Sequence, residues 1–244
     1  MGNDAQPSYL EYQGKYKGIA GWLLSTDHKR IGLLYLYAII VFFFVAAFLG
    51  LLMRIELIAP GKTIMEPQTY NGLFTIHGII MIFVIVIPGL AAVFGNFFLP
   101  ILIGARDVAF PKLNLFSWYL YITGAVLGVL SQFMGSGPPD TGWTFYVPYS
   151  VESATSVIWA LTAAFILGFS SILTGLNFIV TIHRMRAPGM KWLRMPLFPW
   201  AIYATAWIQV LATPIVGITL LMVIAERVLN IGFFDPAQIG RAHV

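Results

Sequence analysis

One histidine lies inside an apolar run long enough to cross a bilayer. It is His77, within Gly-Leu-Phe-Thr-Ile-His-Gly-Ile-Ile-Met-Ile-Phe-Val from Gly72 to Val84. A neutral imidazole carries one donor and one lone pair, and lipid satisfies neither. Such a residue therefore faces a neighbouring helix, a water path or a ligand. Two chemistries fit: a hydrogen bond across helices, or axial ligation of a haem iron through a ring nitrogen. The same segment runs on to a charged turn with Arg106, Asp107 and Lys112. This and the other apolar stretches carry or border Tyr35, Asn96, Asn114, Ser170, Ser171 and Asn177. Hydroxyls and amides hold ordered water without a fixed charge, because each donates and accepts. Taken singly, each also reads as glue between helices.

These groups need a scaffold, and the composition says which kind. Hydrophobic residues make up 59% of the chain and charged ones 10%, against about a quarter charged in soluble domains. The mean hydropathy is +0.82. An all-α, polytopic membrane bundle follows. With no cysteine, disulfides, thiolate metal sites and thiol nucleophiles are excluded. The excess of four positive charges sits in short loops, a topological signal rather than a nucleic-acid one. Residues 1–22 are polar and lack the apolar core of a cleavable signal.

Five segments are long and apolar enough to span: roughly Ile31–Met53, Leu73–Gly104, Leu115–Met134, Val151–Thr181 and Leu197–Val228. Ser25, Thr26 and Asp27 supply a cap for the first. Pro88 and Gly89 predict a kink in the second. Pro214 sits inside the fifth. Lys15, Lys17, Lys29, Arg30, Arg106, Lys112, Arg184, Arg186, Lys191 and Arg194 fall on one side of the membrane. Arg54, Lys62 and Arg227 fall on the other. That bias predicts a cytoplasmic N-terminus and places Asp107 at the inner face. The Gly- and Pro-rich stretch 136–150 reads as an external loop.

Seven blocks carry a resemblance. They are Ser-Thr-Asp-His-Lys-Arg-Ile-Gly (25–32), Arg-Ile-Glu-Leu (54–57), Thr-Ile-His-Gly (75–78) and Ile-Gly-Ala-Arg-Asp-Val-Ala-Phe-Pro (103–111), then Thr-Gly-Trp-Thr (141–144), Phe-Ser-Ser-Ile-Leu-Thr-Gly-Leu-Asn-Phe (169–178) and Phe-Phe-Asp-Pro-Ala (233–237). In order and spacing the chain resembles the N-terminal part of subunit I of the haem-copper cytochrome c oxidases, a larger subunit of the twelve-helix type. The resemblance implies that His77 is an axial ligand of the low-spin haem, of haem a type. Arg54 then bonds a haem side group, while Tyr70 and Trp143 lie near the propionates. Read alone, Arg54 is a snorkelling helix-end residue, and the two aromatics belong to an interfacial belt. Glu56 and Gly61 match part of an external Ca²⁺ or Na⁺ site; alone, Glu56 is a solvated loop carboxylate. Asp107 matches the entrance of the D proton pathway, and Tyr35, Asn96, Asn114, Ser170, Ser171 and Asn177 match residues along it.

The resemblance further implies a proton-pumping enzyme of the respiratory chain that reduces O₂ to water. Its electrons come from cytochrome c, and it sits with other subunits in a bacterial plasma membrane. The high-spin haem and copper B belong to the full subunit, with ligands outside this sequence: His28, His77, His183 and His243 do not make a three-histidine copper set. A fragment without that centre is expected to be inactive. Quinol oxidases of the superfamily carry an Arg, an Asp and a His where this chain has Val45, Leu49 and Thr69, which favours cytochrome c over quinol. A reading from outside the superfamily is a cofactor-free transporter using His77 and Asp107 as proton relays. The domain is expected to span residues 1–238. The tail Ile239-Gly240-Arg241-Ala242-His243-Val244 departs from the family pattern and is expected to be a cloning or sequencing artefact.

Overall fold

The computed structural model describes residues 16–235; the tail 239–244 and Lys15 lie outside the described residues. A short helix, α1 (Gly18–Leu23), leads into the first span, α2 (His28–Glu56). Asp27 caps α2, accepting from the Lys29 and Arg30 N–H groups. The cap satisfies donors that open every helix. The second span runs unbroken from Pro67 to Ile103. It comprises α3 (Pro67–Ile79), two widened π-helical stretches (Ile80–Val86 and Gly89–Gly95) and α4 (Asn96–Ile103). The third span is α5 (Pro111–Leu130), extended by a 3₁₀ turn to Phe133. A single turn, α6 (Tyr149–Glu152), precedes α7 (Val157–Arg184), and α8 (Leu197–Leu229) is the fifth span. No strand occurs among the described residues.

The predicted kink at Pro88 has a structural consequence. Proline has no N–H, so the carbonyl four residues earlier loses its α-helical donor. For Pro88 that carbonyl is Val84's, and the Tyr121 hydroxyl from α5 donates to it at 3.0 Å. For Pro100 it is Asn96's, and His28 Nδ1 donates to it at 2.6 Å. The backbone disruption lies between two π-helical stretches, where inserted residues accommodate the missing bond. Gly104, at φ +73°, ends α4 in the left-handed conformation, and the Ala187 N–H bonds the Ile103 carbonyl at 2.8 Å.

The fourth span starts later than the hydropathy suggests, at Val157 rather than Val151. The reason is Arg227. Its Nη1 donates to the Ser150 and Val151 carbonyls at 2.8 and 2.9 Å, and its Nη2 to those of Ser153 and Thr155 at 2.8 and 3.0 Å. Carbonyls gripped from outside do not enter a regular helical ladder.

Small residues set the packing. Ala160, Ala163 and Ala164 of α7 are buried against α5, and Ala206 of α8 against α7. Without a hydrophobic drive in lipid, such close backbone approach is what holds helices together. Large apolar side chains such as Phe43, Phe44, Phe48, Leu211 and Ile215 point outward, as a lipid-facing surface requires.

Candidate functional site

At the end of the bundle away from Asp107, His77 sits half-buried on α3. Its Nδ1 lies 2.9 Å from the Ala46 carbonyl of α2. A carbonyl only accepts, so Nδ1 carries the hydrogen. In the neutral ring that leaves Nε2 with the lone pair, the arrangement a metal-ligating histidine needs. Gly50, one turn further along α2, faces the ring: a Cβ there would come within 3.3 Å of His77 Cε1. Ala46, Gly50 and Arg54 recur every four residues and share one stripe of α2. Arg54 is exposed at the end of that stripe. Tyr70, half-buried, lies seven residues before His77, on the same face of α3.

Trp143 is brought to the same place from the long loop. Its indole lies across Gly78, where an added Cβ would meet Trp143 Cδ1 at 2.7 Å, and its edge meets Phe83 at 6.3 Å between centroids. The turn carrying it is pinned to α3, because Thr75 Oγ1 accepts from the Gly142 N–H at 2.9 Å. His77 and Trp143 thus pack at the α2–α3 seam beside the loop, and helical register puts Arg54 and Tyr70 on the same stripes. A ring nitrogen with a free lone pair, a nearby unclaimed guanidinium and a flat aromatic wall fit a haem.

Glu56 is tied to its own loop. Its Oε1 accepts from the Thr63 N–H at 3.0 Å, and its Oε2 from the Ile64 and Met65 N–H groups at 2.7 and 2.9 Å. These bonds use three of the carboxylate's roughly four acceptor sites. Gly61 serves the turn, at φ +83°. Glu56 thus anchors the 57–65 loop. No group of three potential metal-ligating side chains occurs among the described residues.

At the opposite end, Asp107 lies in the turn between α4 and α5. Burial is the main force on its carboxyl and raises its pKa. The Val108 N–H at 2.7 Å and the nearby His28 pull it back, and Asp27 adds repulsion. An acid that holds its proton more tightly than usual at a membrane edge suits proton collection. Its loop is clamped by two residues of α7. Phe110 N–H donates to Asn177 Oδ1 at 2.9 Å while Asn177 Nδ2 returns a bond to the Phe110 carbonyl at 3.3 Å, and Ala109 N–H bonds Thr181 Oγ1 at 2.9 Å.

From there a chain of neutral polar groups leads into the bundle. Asn114 Nδ2 donates to Asn96 Oδ1 at 2.6 Å, and Ser117 Oγ to the Asn114 carbonyl at 2.7 Å. The Tyr35 hydroxyl lies 3.1 Å from Ser117 Oγ and 3.4 Å from Ser170 Oγ. Thr174 Oγ1 reaches Ser117 Oγ at 3.3 Å. All of these side chains are buried. Of the expected residues, Tyr35, Asn96, Asn114 and Ser170 come together. Asn177 instead positions the Asp107 loop, and Ser171 lines a small cavity with Tyr35, Ser170 and Thr174 on the side facing α8.

Ser117 and Thr174 belong to the cluster but were not picked out from the sequence. The available signal was spacing: each follows a recognised residue by one helical turn. Arg227 and Asp140 were missed as organisers of the loop end. Asp140 accepts from Gln68, Tyr149, Ser153 and Thr155 at 3.1, 2.5, 2.9 and 2.9 Å.

Comparison with known proteins adds the family. Residues 30–243 match the family described as cytochrome c and quinol oxidase polypeptide I. A probable cytochrome c oxidase subunit 1-alpha of Streptomyces avermitilis is 40% identical over 97% of this chain and 42% of its own length. The cytochrome c oxidase subunit 1 of Thermostichus vulcanus is 36% identical over 96% of this chain and 42% of its own length. The chain thus spans about two-fifths of the length of these relatives. An all-helical bundle with five membrane-length apolar helices and a match over most of the chain agree: the chain belongs to the cytochrome c and quinol oxidase polypeptide I family.

Proposed function

We propose that this chain is the N-terminal part of the catalytic subunit of a proton-pumping cytochrome c oxidase, which reduces O₂ to water. It holds the low-spin haem at one end and admits protons at the other. The observation that carries the reading is the hydrogen bond from His77 Nδ1 to the Ala46 carbonyl. That bond fixes the ring and leaves Nε2 for iron, while Gly50 keeps α2 close enough for it to form. His77 would ligate the haem iron, Arg54 would bond a peripheral oxygen, and Tyr70 and Trp143 would flank the ring. When bound, the haem, of haem a type, supplies one-electron transfer. High-spin haem and copper B would take their ligands from sequence beyond this chain.

Asp107 would take up protons from the cytoplasmic side, with its proton held by burial. Asn96, Asn114, Ser117, Tyr35 and Ser170 would then pass hydrogen bonds inward through water. Cytochrome c fits as electron donor because Val45, Leu49 and Thr69 offer no acid or base to a quinol, and because the relatives above are named cytochrome c oxidases. The membrane would be a bacterial plasma membrane with the N-terminus inside.

The test is His77→Ala in the intact oxidase complex. We expect the low-spin haem absorption to disappear. An unaltered low-spin spectrum in that variant would overturn the haem assignment.

A further inference from the structure

Gln209 of α8 is 7% exposed, in the middle of a span where an amide has no lipid partner. Its Oε1 is fully buried and accepts no hydrogen bond from any described residue. A buried amide oxygen left bare is costly, so this side chain needs a partner. The packing that puts it there is close. A Cβ on Gly175 of α7 would come within 2.9 Å of the Ala206 carbonyl and 3.2 Å of Gln209 Cβ. Glycine at 175 thus lets α8 press Gln209 toward the polar face of α7.

The partner's place is visible. Gln209 shares a small cavity with Tyr35, Ser170, Ser171 and Thr174, roofed by Pro88 of the kinked span. The space open to the centre of a water there is about 10 Å³, room for about one molecule. A buried water needs two to four polar partners. The Tyr35 and Ser170 hydroxyls, the Thr174 hydroxyl and the Gln209 amide provide them. Either end of the amide serves, because water both donates and accepts.

We infer that Gln209 is a positioning residue of the internal proton path, holding one water against Tyr35, Ser170 and Thr174 and so carrying the hydrogen-bonded chain from α7 across to α8. The inference rests on the proton-path reading of the Asp107 end. No covalent step is involved. The water accepts a hydrogen bond from one hydroxyl and donates to the amide oxygen, leaving a connected file through which a proton can be relayed.

The experiment uses the intact oxidase complex and follows proton uptake with a pH-indicator dye during turnover. Gln209→Met keeps the side-chain length and removes both polar ends. We expect uptake to slow by about fivefold, the rate equivalent of one lost hydrogen bond, with the haem spectra unchanged. Gln209→Glu restores an acceptor and a donor, since burial keeps its carboxyl neutral, and uptake should recover. Uptake at the normal rate in Gln209→Met would overturn the inference. So would equal slowing in Gln209→Met and Gln209→Glu, which would indicate packing alone. Asp107→Asn separates the two levels. If it blocks uptake while Gln209→Met does not, the proton path stands and the role of Gln209 falls. If Asp107→Asn leaves uptake intact, the path reading itself fails.

Discussion

At the loop end, Asp140 receives four side-chain hydrogen bonds and Arg227 gives four to carbonyls. Along the polar chain, Asn114 near the inner end and Gln209 within the bundle each keep a buried side-chain oxygen with no partner among the described residues. The first region uses full charges and surrounds each with several partners, leaving only Arg227 Nε bare among the described residues. The second uses neutral groups and leaves them short. A saturated charge is fixed in place, because moving any partner strands it. A neutral hydroxyl or amide can exchange donor and acceptor roles, and a bare oxygen invites water. The contrast separates a structural cap from the polar chain proposed to relay protons.

The strongest way to break the contrast is to remove the charge from the cap. Arg227→Ala would remove a donor from four carbonyls, two of them (Ser153 and Thr155) in the bend between α6 and α7, where Thr155 keeps the Val157 N–H. Hydrogen bonds to a charged group contribute about 1.5–3 kcal/mol each but are not additive, so we expect a loss of about 3 kcal/mol. Thermal unfolding of the complex in detergent would measure it. Protease accessibility of the 134–156 loop should rise in parallel. A stability change near zero would mean that the loop holds itself and that Arg227 is incidental.

Why the sequence disclosed one region better than the other follows from the same chemistry. His77 and Asp107 are conspicuous because ionisable groups are rare in or beside apolar runs. Five spans were legible because hydropathy measures what lipid requires. Arg227 was counted only as a charge outside the membrane, since its partners are backbone carbonyls, which every residue has and no sequence marks. Ser117 and Thr174 were invisible for a related reason. Each bonds a carbonyl of its own helix, Ser117 that of Asn114 and Thr174 that of Ser170, as ordinary helical hydroxyls do. Glu56 went the other way. By type it reads as a solvated or cation-binding carboxylate, while the three N–H groups that bond it depend on how the 57–65 loop closes, which residue types alone do not reveal.

A smaller effect sharpens the contrast from the bundle side. Tyr121→Phe removes only the hydroxyl that serves the Val84 carbonyl, left bare by Pro88. Interhelical hydrogen bonds within a membrane are worth about 1 kcal/mol, so the expected loss of stability is about that size. Thermal unfolding of the variant gives the number. If the loss is nil, the π-helical backbone on either side of Pro88 satisfies Val84 by itself, and the kink needs no brace from α5.

The smallest effect is a difference in sign. Burial alone would raise the Asp140 pKa, but the bonds from Tyr149, Gln68, Ser153 and Thr155 together hold it below the ordinary carboxylate range. Its stabilisation is therefore present above the unfolded value, about 4, and is lost as pH falls through the folded value. Asp107 is raised, chiefly by burial. Its contribution is full below about pH 4 and is lost as pH rises through the folded value. Thermal stability followed from acid to neutral pH should thus show opposite slopes removed by the two variants. Asp140→Asn should flatten the acid limb, and Asp107→Asn should raise stability toward neutral pH. If both variants shifted stability with the same sign, the two acids would share one environment, and the division between a saturated cap and an unsaturated path would not hold at the level of charge.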